Sequence, residues 1–189
     1  MIELAGLRVT LQPIRAEDEA QHDEFLARVD PDDLRFRFDR EIGEVPRIEL
    51  ARMTQIDYER EIAFVATIPR DGCGSKIVGE VRASADVDGG RSEFTFIVRS
   101  DLQRRGLGRV LLEKLIDYCR ERIVRLLYGL VASSNAGMRG FARRLRFKVD
   151  RGSGRTAVVS LDLQRRPEAS HGHAVCSREE TDGDAVRAT

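Results

Sequence analysis

Tryptophan is absent from this 189-residue chain and aromatic residues make up 6% of it, so aliphatic side chains must fill its core. Cysteine is scarce: Cys73, Cys119 and Cys176 are odd in number and far apart. That spacing excludes a disulfide framework and a thiolate metal site, and it fits a reducing, cytoplasmic setting. No apolar run approaches the roughly 20 residues of a membrane span, and the N-terminus has no signal-like apolar stretch. Net charge is zero, 32 Lys+Arg against 32 Asp+Glu, so nothing global favours nucleic acid or a lipid surface. Histidine is rare too. His171 and His173 fall in a polar C-terminal stretch where a two-histidine site is a weak idea, so no metal is expected.

What is present is 41% hydrophobic residues, enough at this length for one well-buried core and short for two. Charge is unevenly spread. Residues 17–33 hold eight acidic side chains against Arg28, and residues 99–151 hold fourteen Lys/Arg against five Asp/Glu. A polyanionic ligand would favour the second region and a cationic substrate the first, although solvated helix faces of opposite sign would look the same.

The most informative stretch is Gln103-Arg104-Arg105-Gly106-Leu107-Gly108. A strand-like run, Glu93 to Val98, leads into it, and an amphipathic helix leaves it with Leu107, Leu111, Leu115 and Cys119 on one face. Glycines at 106 and 108 allow a tight turn and close approach of a ligand. The first helix amides lack intrahelical partners and sit at the positive end of the dipole, so with Gln103, Arg104, Arg105 and Arg109 they suit a pyrophosphate. A helix that merely starts at a glycine turn beside solvated arginines shares this pattern. A dinucleotide fingerprint fails because Leu111 stands where its third glycine belongs, and a Walker loop fails because Arg109-Val110 follow Gly108.

The remaining chain reads as alternating strands and helices. Leu7 to Ile14 alternates and reads as a strand ended near Pro13, 17–29 as an acidic helix with Phe25, Leu26 and Val29 inward, and Pro31 to Phe38 as a short helical turn. A loop over 39–46 and a helix from Arg47 to about Thr54 follow. Strands are expected at Glu61 to Ile68, buried on both faces, and at Ile77 to Ala85, with hairpin turns at 71–74 and 88–90. After the long helix come a strand from Leu126 to Val131, then Asn135, then a helix carrying Met138, Phe141, Ala142 and Leu145. A closing hairpin spans Lys148–Arg151 and Thr156–Leu163. From 164 to 189 large apolar residues almost vanish, which predicts a disordered tail after a domain of residues 1–163.

Strand, Q-x-x-G-x-G, helix, strand, N-x-x-M, helix and Phe147 together resemble the acetyl-CoA-binding half of the GNAT N-acetyltransferase superfamily. The resemblance extends to the acetyltransferase domain of bacterial protein lysine acetyltransferases, through Leu34-Arg35-Phe36-Arg37-Phe38, Leu50 to Ala66 and Glu93 to Leu112, and covers most of residues 7–163. It implies an α/β (α+β) fold, a mixed, mostly antiparallel central sheet flanked by helices, with two parallel central strands that splay apart. Acetyl-CoA would lie in that splay, its pantetheine arm along the backbone of Ile97 and Val98 and beside Asn135, its pyrophosphate on Gln103 to Arg109. The acceptor implied is a protein lysine, with neither nucleic acid nor membrane as partner.

A lysine ammonium with a pKa of about 10.4 is neutral only about one part in a thousand near pH 7.4, so a base is useful. Glu93 stands ten residues before Gln103, where the resembled domains carry their catalytic glutamate. From the sequence alone a strand-end carboxylate paired with Arg82 or Arg91 is the better reading, and the resemblance reverses that order; Glu80 is the second candidate. Three positions depart from the family pattern. Gln12 replaces a usual arginine, Ala142 stands where many members carry a tyrosine general acid, leaving Tyr128 the nearest tyrosine, and Arg146 replaces a glycine. Arg146 would be strained if its φ had to be positive. Two functions stay open: an N-acetyltransferase acting on a protein lysine, or on a small amine or N-terminus, and a non-catalytic acyl-CoA-sensing module.

Overall fold

The computed structural model describes residues 1–4, 6–31, 33–34, 52–70, 72, 74–152 and 154–164. Its strands are β1 (Ile2–Leu4), β2 (Leu7–Pro13), β3 (Glu61–Pro69), β4 (Ser75–Ala85), β5 (Arg91–Val98), β6 (Leu126–Ala132), β7 (Lys148–Arg151) and β8 (Thr156–Asp162). Among the described residues the helices that position the site are α1 (Glu19–Leu26), α2 (Leu107–Glu121) and α3 (Ala136–Arg144). The strands form one sheet in the order β1-β2-β3-β4-β5-β6-β8-β7. Short turns make β3, β4 and β5 an antiparallel meander, whereas α2 carries the chain across so that β5 and β6 pair in parallel. This is the mixed, mostly antiparallel α/β sheet expected.

Each sheet face has its own apolar layer. Ile62, Phe64 and Ala66 of β3 join Val81, Phe94 and the α2 residues Leu111, Leu112 and Leu115 on one side. Ala63 and Val65 join Ile14, Phe25, Leu26, Ile77 and Ile97 on the other. The unbroken apolar run of β3 is therefore buried on both faces, as its composition predicts. Helix α2 lies close on β4 because Gly79 leaves room: a Cβ there would sit 2.9 Å from Leu111 Cδ1. Leu111 and Leu115 are fully buried, and truncating either to alanine would cost about 2–5 kcal/mol.

Several boundaries differ from the sequence reading. The first strand does end at Pro13, as expected, but β1 precedes it as a three-residue edge partner too short for periodicity to show. The acidic helix expected over 17–29 is a 3-10 turn, Ala16–Asp18, followed by the shorter α1. The Asp18 carboxylate accepts the Arg15 amide at 2.9 Å and so fixes the start. Phe25, Leu26 and Val29 do point inward. The Arg35–Phe38 segment, the loop over 39–46, the helix from Arg47 up to residue 51, and the tail from 165 lie outside the described residues.

Candidate active site

The site begins where a ladder stops. β5 and β6 pair only through Arg91↔Leu126, Ser92↔Leu127 and Glu93↔Tyr128. Beyond these, β5 stays bound to β4 as far as Val98, and β6 to β8 as far as Ala132. The two central strands thus diverge, leaving a wedge with its apex at Glu93 and Tyr128. Arg99 donates to the Val78 carbonyl at 3.0 Å, so by alternation the Ile97 backbone faces β4 while the Phe96 and Val98 backbones face the wedge. Of the two residues expected to hold a pantetheine arm, Val98 offers backbone groups to it. Ile97 is turned away, with its side chain buried among Ile14, Phe25 and Ile77.

At the open end of the wedge stands the glycine turn. Gly106 caps α2 in the left-handed region (φ 92°) and Arg104 also has positive φ (60°). Val110 donates to the Gly106 carbonyl at 3.2 Å, but among the described residues no amide from Arg104 to Arg109 donates to a backbone carbonyl. Those amides, at the positive end of a 15-residue helix, form an open cradle of donors, a geometry that suits an anion. Arg104 and Arg105 are exposed, and Arg109 is paired with Glu113 at 2.8 Å. Leu107 is buried beneath the turn. Gln103 donates to Asp33 Oδ2 at 2.7 Å and to the Val98 carbonyl at 3.3 Å, which ties the cradle to the segment after α1. Nearby, the hydrogen bond from Arg99 holds the Asp101 carboxyl below its ordinary value. Gly108 has a structural reason beyond ligand approach: a Cβ there would lie 3.2 Å from the Phe96 ring, which packs on Phe141.

Glu93 is half-buried at the apex, and among the described residues its carboxylate makes no ion pair or hydrogen bond. The partners that a strand-end carboxylate would use are taken. Arg91 is paired with Asp86 at 3.5 Å and stacks over Tyr128, 4.9 Å from its ring centroid. Arg82 is held by Glu80 at 3.1 Å and Glu61 at 3.4 Å. Glu80, the second candidate base, is 2% exposed, with one oxygen on Arg82 and the other on His22, so it has no access to a substrate. Tyr128 lies directly opposite Glu93. Burial and its hydrogen bond to Asp86, at 3.2 Å, raise its phenol pKa.

Helix α3 forms the far wall. Asn135 Oδ1 accepts the Met138 amide at 2.8 Å, so this asparagine is first an N-cap, with its NH2 group and one oxygen lone pair left for a ligand. Ala142 is fully buried, and no tyrosine replaces it on α3. Arg146 does take positive φ (65°) at the end of α3. Sequence reasoning missed the His22–Glu80–Arg82 contacts and the Asp33–Gln103 link; the one signal for the former is that Glu80 and Arg82, two apart on a strand, share a face.

Among the described residues no cluster of three metal-binding side chains occurs, and no helix is long and apolar enough to cross a membrane. A model of the acetyltransferase (GNAT) family matches residues 26–147. An acetyltransferase of Pseudomonas aeruginosa is 34% identical over 142 residues, covering 75% of this chain and 76% of that protein. Among solved structures, the GNAT domain of a Streptomyces lividans PAT superposes with a TM-score of 0.73 at 21% identity, over 82% of this chain and 90% of that one. An N-acetyltransferase of Thermoplasma acidophilum, in complex with coenzyme A, shares the fold at a TM-score of 0.65 and 11% identity, over 82% and 99% of the two chains.

Proposed function

This chain belongs to the acetyltransferase (GNAT) family, and from that premise we propose that it transfers an acetyl group from acetyl-CoA to the amine of a protein lysine, with Glu93 as general base. The observation that carries the reading is the wedge itself. An unpaired carboxylate stands at its apex, and unbonded amides wait at its mouth. The amides from Arg104 to Arg109, with the Arg104 and Arg105 side chains, would take the diphosphate. Val98 would pair with the pantetheine arm and donate to the thioester oxygen as charge develops on it. The coenzyme A bound by the T. acidophilum protein supports this donor.

The amine nitrogen attacks the thioester carbonyl carbon and its proton passes to the Glu93 carboxylate. The C–S bond then breaks and the thiolate leaves. With alanine at 142 the departing sulfur takes its proton from water. A lysine acceptor is favoured by the acidic face of α1, which would attract a cationic side chain. We place the reaction in the cytoplasm and in a domain of residues 1–163. Ala142 and Arg146 favour one second reading, a module that binds acyl-CoA without turnover.

The test is incubation with labelled acetyl-CoA and three acceptor classes: lysine-rich proteins, peptides with free N-termini, and polyamines. Mass spectrometry should place the label on lysine Nε. Label on N-termini or polyamines alone would contradict the lysine reading, and tight acetyl-CoA binding without transfer would favour the sensing module.

A further inference from the structure

A buried chain of charged groups runs beneath the α1 side of the sheet, and the proposed reaction does not use it. His22 of α1 is 0% exposed and Glu80 of β4 is 2% exposed. His22 Nε2 and Glu80 Oε2 share a hydrogen bond, while Glu80 Oε1 accepts from Arg82 Nε at 3.1 Å. The Arg82 guanidinium continues from Nη1 to Glu61 Oε2 at 3.4 Å and from Nη2 to the Met53 carbonyl. Buried ion networks of this kind are weak stabilisers, because apolar residues of similar volume do as well or better. Stability alone does not account for it.

Register suggests what does. Glu80, Arg82 and Ser84 alternate along β4 and share a sheet face with Ile97, Thr95 and Glu93 of β5. Arg82 stands opposite Thr95 and Glu93 opposite Ser84, which makes Arg82 and Glu93 diagonal neighbours. Such neighbours are typically about 7–8 Å apart, within reach of an arginine side chain. Yet the guanidinium turns toward Glu80, Glu61 and Met53. The other charged or titratable groups near Glu93 are Arg91 on its own strand, Asp86 in the β4–β5 turn, Tyr128 on β6 and Glu61 on β3, and Arg91 is bound to Asp86.

We propose that Glu80, braced by His22, is a positioning residue that holds Arg82 away from Glu93 and so keeps the general base unpaired. The proposal rests on the reading of Glu93 as base. An arginine brought within about 4–6 Å of a carboxylate lowers its pKa by about 1–3 units. The paired carboxylate is a weaker base and is physically blocked from the amine.

Glu80→Gln keeps the shape and removes the charge that anchors Arg82. In that variant the acid limb of the kcat/KM–pH profile should move down by about one unit, and kcat at neutral pH should fall about tenfold. Glu80→Gln/Arg82→Gln, with neither charge, should bring both back toward wild type, whereas simple damage to the core would not be reversed by a second buried substitution. A 13C titration of the Glu93 carboxyl should show the same pattern, lower in the single variant and restored in the double. That titration reads the surroundings of Glu93 whether or not it is the base, and turnover of Glu93→Gln decides the base separately. An unmoved carboxyl titration in folded Glu80→Gln, or a double variant no better than the single, overturns the proposal. Should Glu80→Gln not fold, Arg82→Gln decides. No change in the Glu93 titration is expected, and an upward shift would show that Arg82 already pairs with it, overturning the proposal.

Discussion

Replacing Arg146 with glycine should stabilise the protein, and the size of the effect follows from the end of α3. Phe147 donates to the Ala142 carbonyl and Arg146 to the Arg143 carbonyl, at 3.0 and 2.9 Å, the paired bonds of a Schellman cap. This cap requires its residue in the left-handed region, where Arg146 sits at φ 65°. An L-residue there costs about 1–2 kcal/mol relative to glycine. Glycine's larger freedom in the unfolded chain takes back about 0.5–1 kcal/mol. Midpoint against midpoint, the difference is about 0.75 kcal/mol, which corresponds to a Tm rise of roughly 1.5–3 °C for a chain of this size. The Arg146 side chain is exposed and makes no hydrogen bond or ion pair among the described residues, so nothing offsets the gain. Arg146→Ala keeps the backbone strain and should leave Tm nearly unchanged. Thermal melts of the three proteins decide: an unchanged or lower Tm for Arg146→Gly, or an equal rise for Arg146→Ala, would refute the strain argument.

Gly108→Val must push the Phe96 ring aside, so it should cost about 1–3 kcal/mol and weaken acetyl-CoA binding, read by denaturant titration and calorimetry. Gly108→Ala needs a shift of only a few tenths of an ångström, and its stability loss should be well below that of valine. Burial pushes the Cys119 thiol up to about 12, leaving about one part in 10⁴ as thiolate at pH 8. Iodoacetamide at that pH should therefore spare Cys119 in the folded protein and modify it after denaturation, as seen by peptide mapping. If α1 steers a cationic acceptor, turnover on protein should fall as salt shortens the Debye length below about 10 Å, and salt-independent turnover would remove that role. A chain ending at Leu163 should keep its Tm and turnover, because the composition of the remaining residues offers little apolar surface to bury.

The parts of the fold legible in the sequence were those set by local pattern. The period-3.6 face of α2, the buried run of β3 and the glycine turns between β3, β4 and β5 each follow from residues close in the chain. The cradle at Gly106 was legible for the same reason, since a turn and the helix it starts are one local unit. The charge assignments around Glu93 were not. Arg82 and Arg91 were both plausible partners for it, and only the packing of α1 on the sheet, which brings His22 to Glu80 across 58 positions, shows that Arg82 is occupied elsewhere. Which of Ile97 and Val98 turns its backbone to the wedge was not legible, because strand alternation cannot be phased against a partner strand before pairing is known. The late start of α1 was hidden because Asp18 extends the acidic pattern while its side chain caps a 3-10 turn.

Turnover of Glu93→Gln tests the central claim most directly. The amide keeps the size and hydrogen-bonding reach of the side chain but cannot accept a proton, and loss of a general base typically costs about 10²–10⁴ in rate. Acetyl transfer to a protein lysine should fall by that order while acetyl-CoA affinity stays within a few-fold. The residual rate should climb with pH, as the neutral fraction of the amine grows. Near-normal turnover of Glu93→Gln at neutral pH would contradict the account.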